Sequence, residues 1–174
     1  MAQMMVAPGR VIWLEGLPGA GKTTLADALV PRLRRSGRVA DRLDGDEIRR
    51  NLSSDLGYDR EGRLAQARRV AFLAEVLSRN GVFVVVALIT PYQASREEAR
   101  ARLGDRLLEV HLACPLEVCE ARDPKGMYHR ARAGEMRHLT GIDDPFEAPE
   151  HPDLTLRTDL LSVEECVGRI ERAL

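Results

Sequence analysis

The stretch Gly16-Leu17-Pro18-Gly19-Ala20-Gly21-Lys22-Thr23 restricts the fold of this chain more than any other feature. It matches the pattern G-x-x-x-x-G-K-[ST] at every fixed position. It also stands between an apolar run, Val11–Leu17, and a helix-forming run from Lys22 to Arg35 that closes at Ser36-Gly37. The chemistry needs that context. Glycines let successive backbone N–H groups turn inward around phosphate oxygens, and the helix N-terminus adds the positive end of its dipole. Lys22 would reach the β- and γ-phosphates as a compact charge, and Thr23 would offer its hydroxyl to Mg²⁺. The plainer reading, a glycine turn that merely joins strand to helix, is set aside because the motif is specific and its context is satisfied. Such a chain binds a nucleoside triphosphate.

The remainder of the chain alternates strand and helix patterns. Pro31, late in the first helical run, predicts a kink or an early end. A short strand, Arg38–Leu43, stops at Asp44-Gly45-Asp46. From Arg60 to Asn80, Leu64, Ala67, Ala71, Ala74 and Leu77 fall on one helical face, with Gly81 as the stop. Val82–Ile89 is the longest uninterrupted apolar run. It is far too short to span a membrane, and its β-branched residues predict a strand buried on both faces. A helix over Ala94–Leu103, a strand over Leu107–Ala113 and a short helix after Cys114-Pro115 follow. Asp153–Arg157 supplies a last strand, and Ser162–Leu174 a terminal helix whose Ser162 and Glu165 form a capping box. The alternation predicts an α/β, three-layer P-loop kinase fold. Its mostly parallel five-stranded sheet would bind ligands at the strands' carboxyl ends. Residues 1–174 read as a single domain without repeat or linker.

Composition narrows the partners. The 174 residues are 44% hydrophobic and 30% charged, enough for one core without disulfides or structural metal. Twenty-six basic residues against 27 acidic ones leave no global field to recruit nucleic acid or an anionic membrane. Met1–Arg10 lacks a leader's apolar core. Cys114, Cys119 and Cys166 make an odd set without zinc-like spacing, and the four histidines show no ligand spacing either. Free thiols, and hence a cytoplasmic location, are expected. Within the basic set only two residues are Lys, Lys22 and Lys125; every other position is Arg.

The acidic partner of the phosphate loop is less obvious. Val82–Ile89 ends in Thr90-Pro91-Tyr92, with no carboxylate, so Asp44 and Asp46 become the nearest candidates. In isolation Asp-Gly-Asp reads as a turn. At the functional edge of such a sheet, one carboxylate would work through Mg²⁺ and its waters while the other orients an acceptor hydroxyl. The basic stretch around and after Asp123, with Arg122 and Lys125 before Gly126 and Arg130, Arg132 and Arg137 between Gly126 and Gly141, has two readings. It is either a solvated helical face or, at about residues 122–141, a closing lid whose arginines stabilise a transferring phosphoryl group and exclude water.

Several of these stretches resemble one family, adenylylsulfate (APS) kinase. They are Gly16–Thr24, Leu43–Asp46 with Arg49, Asp55–Tyr58, Arg68-Arg69, Pro91-Tyr92, Pro115–Gly126, Arg130–Glu135 and Thr140–Glu150. The resemblance implies transfer of the γ-phosphoryl group of MgATP to the 3′-hydroxyl of APS, giving 3′-phosphoadenylylsulfate. By position it implies Lys22, Asp46 and Thr90 as catalytic residues. Gly16, Leu17, Pro18, Gly19, Ala20, Gly21, Lys22, Thr23, Thr24, Arg122, Arg130 and Arg132 would bind ATP. Asp46, Arg49, Tyr58, Arg63, Gln66, Ile89, Thr90, Lys125, Leu139 and Thr140 would bind the acceptor, and Thr23 and Asp44 would serve Mg²⁺. It further implies small-molecule nucleotides as partners, with no nucleic acid or membrane, a homodimer, and a functional link to ATP sulfurylase. The family usually has Ser at Thr90, Arg at Gln93, Asn at Gln66 and Phe at Leu139, and Tyr58 stands where it has a stacking Phe. Those departures leave open a kinase of the ribose 3′-hydroxyl of another modified nucleotide. From another class, a non-catalytic nucleotide-binding regulator of an ATP sulfurylase also stays open.

Overall fold

Five strands, close to the segments the sequence pattern marks, pair in the order β2-β3-β1-β4-β5, every pair parallel. In the computed structural model, which describes residues 7–174, the strands are β1 (Val11–Glu15), β2 (Ala40–Asp44), β3 (Phe83–Ala87), β4 (Leu107–Leu112) and β5 (Leu154–Leu156). The helices are α1 (Lys22–Arg35), α2 (Gly45–Leu52), α3 (Arg60–Arg79), α4 (Gln93–Leu103), α5 (Leu116–Arg122), α6 (Met127–Arg132) and α7 (Val163–Ala173). Most of the Met1–Arg10 stretch read above for leader character lies outside the described residues. Among those described, no helix is long and apolar enough to cross a membrane.

The period of two in the strands decides the layers. In β1, Ile12 and Leu14 face one side and Val11 and Trp13 the other; in β3, Val85 and Ala87 divide from Val84 and Val86 in the same way. The first face is covered by Leu25, Ala26 and Leu29 of α1 and by Val167 and Ile170 of α7. The second is covered by Val70, Ala71 and Ala74 of α3 and by Ala99 and Leu103 of α4. Both sides of β1 and β3 are therefore dry, which explains why these strands read as unbroken apolar runs. The helix after β1 lies on one face and the helix after β3 on the other, although the two strands are neighbours. Their carboxyl ends diverge there and open a crevice, the place where parallel α/β sheets bind ligands.

Two expectations need correction. Pro31 does not end α1, which continues to Arg35. Leu29, Val30 and Leu33 are buried on either side of it, and that packing outweighs the lost backbone bond. Asp44-Gly45-Asp46 is not a free turn: it starts α2, a helix absent from the sequence pattern. Asp44 caps it, Oδ1 accepting from the N–H groups of Asp46 (3.0 Å) and Glu47 (3.3 Å). Asp44 followed three residues later by Glu47 was the available signal. A Cβ on Gly45 would sit 2.7 Å from Leu88 Cδ1 and 3.3 Å from the Ala87 carbonyl oxygen, so the Leu88 side chain would have to turn aside. The Ser162–Glu165 capping box on α7 is present as expected. The strands are shorter than the apolar runs because their ends turn into the loops of the crevice.

Candidate active site

The phosphate loop leaves β1 at Gly16 and enters α1 at Lys22. Its tightness rules out side chains at two points. A Cβ on Gly16 (φ +146°) would stand 2.8 Å from the Leu112 carbonyl oxygen, and one on Gly19 (φ +79°) 2.9 Å from that of Cys119. Lys22 curls into this ring, its Nζ donating to the carbonyls of Gly16 (2.8 Å) and Leu17 (2.7 Å). Burial pushes its pKa down to about 8. Thr23 lies beside it, its hydroxyl donating to Asp44 Oδ2 at 3.0 Å. Partial burial would raise the Asp44 pKa. The Thr23 hydroxyl and the Glu47 and Asp46 N–H groups overcome that and hold the carboxyl below its ordinary value. A threonine hydroxyl and an ionised carboxylate at the mouth of a phosphate loop are hard oxygen donors of the kind that suit Mg²⁺ and its waters.

In the first turn of α2, Asp46 forms an ion pair with Lys125, which reaches in from the loop joining α5 to α6. The two lysines therefore meet the site at different points, Lys22 on the phosphate loop and Lys125 on the Asp46 carboxylate. Several bonds fasten the α5–α6 segment over the phosphate loop. The buried Tyr128 hydroxyl donates to the Pro18 carbonyl at 2.8 Å, and Arg122 donates to the carbonyls of Gly19 (3.3 Å) and Thr158 (2.7 Å). Asp123, with φ +23°, accepts from the N–H groups of Tyr128 and His129 and so caps α6.

Beyond Asp46 the cavity is lined by Arg49, Tyr58, Arg63, Gln66, Leu139 and the loop after β3, Ile89-Thr90-Pro91. The Arg49 guanidinium lies 4.4 Å from the Tyr58 ring centroid and donates to the carbonyls of Leu56 and Gly57. Arg63 ties the Tyr58 carbonyl (2.8 Å) to that of His138 (2.5 Å), which joins α3 to the segment after α6. Gln66 is buried; its amide nitrogen donates to Gly45 O at 3.2 Å while its carbonyl oxygen has no partner. Thr90 adopts φ +50°, a strained conformation for a β-branched residue. Its hydroxyl accepts from Trp13 Nε1 (2.9 Å) and donates to Leu88 O (3.3 Å).

A continuous cavity of about 890 Å³ thus runs from the phosphate loop to Tyr58 and Leu139. It is large for a single-ligand pocket, and it has a phosphate cradle near one end and an aromatic and two arginines near the other. The comparisons with known proteins fit that shape. The family model described as adenylylsulphate kinase matches residues 8–157. The chain belongs to the adenylylsulphate kinase family. The adenylyl-sulfate kinase of Picosynechococcus sp. PCC 7002 is 48% identical over 166 residues, covering 95% of this chain and 93% of that one. The adenylyl-sulfate kinase of Paraburkholderia xenovorans is 50% identical over 167 residues, covering 96% and 93%. The Mycobacterium tuberculosis APS kinase solved in complex with AMPPNP and APS superimposes with a TM-score of 0.92 at 38% identity, covering 95% and 97%. A shikimate kinase from Acinetobacter baumannii, at 22% identity and a TM-score of 0.59, shares the fold.

In this kinase, most of the residues picked out from sequence converge on the one cavity. Four do not line it. Gly16 and Leu17 contribute carbonyls to Lys22 from behind, Arg132 is held in a two-pronged pair with Glu120 at 2.8 and 3.0 Å, and Thr140 is fully buried. The sequence reading missed Tyr128, Asp123, Trp13 and Met136. Tyr128 and Trp13 are two of the few aromatics in the chain, and scarcity was the only signal they offered.

Proposed function

We propose that this kinase transfers the γ-phosphoryl group of MgATP to the 3′-hydroxyl of adenylylsulfate. The observation that carries the reading is the continuous cavity, with the Lys22 loop near one end, the Asp46–Lys125 pair next to it and Arg49, Tyr58 and Arg63 beyond, in a chain matched to the family along nearly its whole length. The acceptor oxygen forms a bond to the γ-phosphorus as the bond from phosphorus to the β–γ bridging oxygen breaks. ADP leaves with that oxygen's charge, and the acceptor's proton passes to Asp46. Asp46 also orients the hydroxyl. Lys22 and the loop's N–H groups hold the β- and γ-phosphates. Thr23 and Asp44 would hold the Mg²⁺ that accompanies ATP, and the ion would supply charge to offset that of the phosphates. Lys125, paired with Asp46, would meet negative charge on the acceptor side of the transfer, and Arg122 and Arg130 would face ATP.

On the acceptor side, Tyr58 supplies a face for the adenine, and Arg49 and Arg63 meet the anionic groups. The orphan carbonyl of Gln66 accepts from a nucleotide N–H. Direct in-line transfer requires no phosphorylated Thr90, and its hydroxyl already serves two hydrogen bonds. Residues 122–141 act as the lid of a single domain. Closure over the phosphate loop excludes water, whose attack on ATP is the competing reaction.

A substrate panel tests the assignment. MgATP is supplied with adenylylsulfate and then with other 5′-substituted nucleotides, and the phosphorylated position is identified by NMR. The expected product carries phosphate at the 3′-oxygen of adenylylsulfate. Turnover of another nucleotide without that product would overturn the acceptor, and ATP binding without transfer to any acceptor would overturn catalysis.

A further inference from the structure

Arg96, on the first turn of α4, is 3% exposed and does not itself line the cavity. Each of its three nitrogens nevertheless has a hydrogen-bond partner. Nη1 donates to the Thr90 carbonyl at 2.8 Å, Nη2 to the Glu147 carbonyl at 2.6 Å and Nε to Gln93 Oε1 at 3.1 Å. Beneath it lies the buried Glu15, 3.7 Å from Nη1, the last residue of β1 before the phosphate loop.

The first two bonds join segments that are far apart in the chain. Thr90 lines the cavity in a left-handed conformation that a β-branched residue avoids. Glu147 lies just beyond the segment proposed as the lid, and it is bonded twice more to the same loop. Its N–H donates to the Pro91 carbonyl (2.8 Å), and its carboxylate accepts from the Gln93 N–H (2.6 Å). The Ile89 carbonyl accepts in turn from the Gly16 N–H at 3.3 Å, which ties the loop to the start of the phosphate cradle. A buried cation whose donors end on the carbonyls of a strained residue and of the segment that follows the proposed lid acts as a fixed clamp.

We propose that Arg96 is a positioning residue for phosphoryl transfer. It holds Thr90 in its left-handed conformation and anchors the distal end of the lid to the acceptor side of the cavity. Lys at this position keeps the charge but cannot reach three acceptors in a planar fan. The inference rests on the activity proposed above, and it predicts a selective loss: the acceptor site loosens while the phosphate loop, held by its own bonds, does not.

The test is Arg96→Lys, assayed against wild type with MgATP and adenylylsulfate. KM for adenylylsulfate should rise about tenfold while KM for ATP stays within about twofold. The chain has one tryptophan, Trp13, whose indole donates to the Thr90 hydroxyl, so its emission reports the loop directly. That emission should change in Arg96→Lys. Adding Thr90→Ser, which tolerates positive φ better, should restore part of the acceptor KM. Equal rises in both KM values, an unchanged acceptor KM, or unchanged Trp13 emission in the folded variant would overturn the proposal. If Arg96→Lys does not fold, Gln93→Ala decides, since it removes the side-chain acceptor of Arg96 Nε and leaves both carbonyls in place. It should raise the acceptor KM about threefold, the effect of one hydrogen bond; no change overturns the clamp. If wild type fails on adenylylsulfate, the activity reading fails, and the clamp then stands or falls on the Trp13 emission alone.

Discussion

Asp44 carries two duties on two oxygens, and they can be separated by substitution. Oδ1 caps α2 through the Asp46 and Glu47 N–H groups, while Oδ2 takes the Thr23 hydroxyl at the proposed Mg²⁺ position. Asn keeps an oxygen for the cap and removes the charge; Ala removes both. Loss of an N-cap costs about 1 kcal/mol, and Asn caps about as well as Asp. For a chain of this size that translates to a melting temperature about 2–4 °C lower in Asp44→Ala. In Asp44→Asn only the exposed helix-dipole contribution is lost, about 0.3–1 kcal/mol, and the midpoint should fall by less. Activity should rank differently. If the carboxylate holds Mg²⁺ through its waters, both variants should need at least about tenfold more Mg²⁺ for half-maximal rate, the equivalent of about 1.4 kcal/mol. Thermal melts beside a Mg²⁺ titration of kcat at saturating ATP give both numbers. If Asp44→Asn kept the wild-type Mg²⁺ requirement, or if the two variants lost activity in proportion to their melting temperatures, Asp44 would be a helix cap and nothing more.

Asp46→Asn should depress kcat by about 10²-fold or more, the scale of general-base catalysis, with little effect on MgATP affinity; equal losses in both would refute its acceptor-side role. Lys125→Arg should also lower kcat although the charge is kept, because a planar fork cannot replace a point charge on Asp46; wild-type kinetics would refute it. The Lys22 pKa, held down to about 8 by burial, sets a further expectation. Above that pH the free lysine loses its proton, so MgATP affinity by calorimetry should weaken by up to about tenfold per unit; a flat profile to pH 9.5 (about one and a half units above,) would exclude Lys22 from phosphate binding. Glu15 offers a stability test. Burial, opposed by Arg96, pushes it up from 4.5 to about 9. The folded state therefore binds the extra proton, and Glu15 costs stability progressively as pH rises through that window. Glu15→Gln should flatten this loss, melting close to wild type at pH 5 but higher at pH 9, by about 1–3 kcal/mol; parallel melting curves across that range would show that Glu15 is not the group responsible.

Much of the site was legible because its chemistry needs fixed residue types at short spacing. Gly16 and Gly19 have no room for a Cβ, Lys22 must fit inside a ring of carbonyls, and Thr23 must follow it at the start of α1. The rarity of Lys pointed to Lys22 and Lys125, and the structure places both at the cavity, on opposite partners. Helix α2 was not legible, since eight residues beginning with Gly45 carry too little periodicity, and its cap is a side chain that also serves the site. Pro31 misled because local propensity was outweighed by the burial of Leu29, Val30 and Leu33. Arg132 has a contact that the motif does not announce: Glu120, twelve residues earlier, engages both prongs of its guanidinium.

By itself, the sequence determined the phosphate cradle, the parallel α/β layers and the family resemblance. Each of these is written in local spacing: glycines at fixed offsets, a period of two in the strands and of 3.6 in the helices. The tertiary structure alone decided which distant residues meet. Trp13 lies against Thr90, 77 residues away, Lys125 against Asp46, 79 away, and Arg96 between Thr90 and Glu147. Those contacts come from the crossovers that bring the ends of β1, β2 and β3 to one edge of the sheet, and no spacing along the chain encodes them.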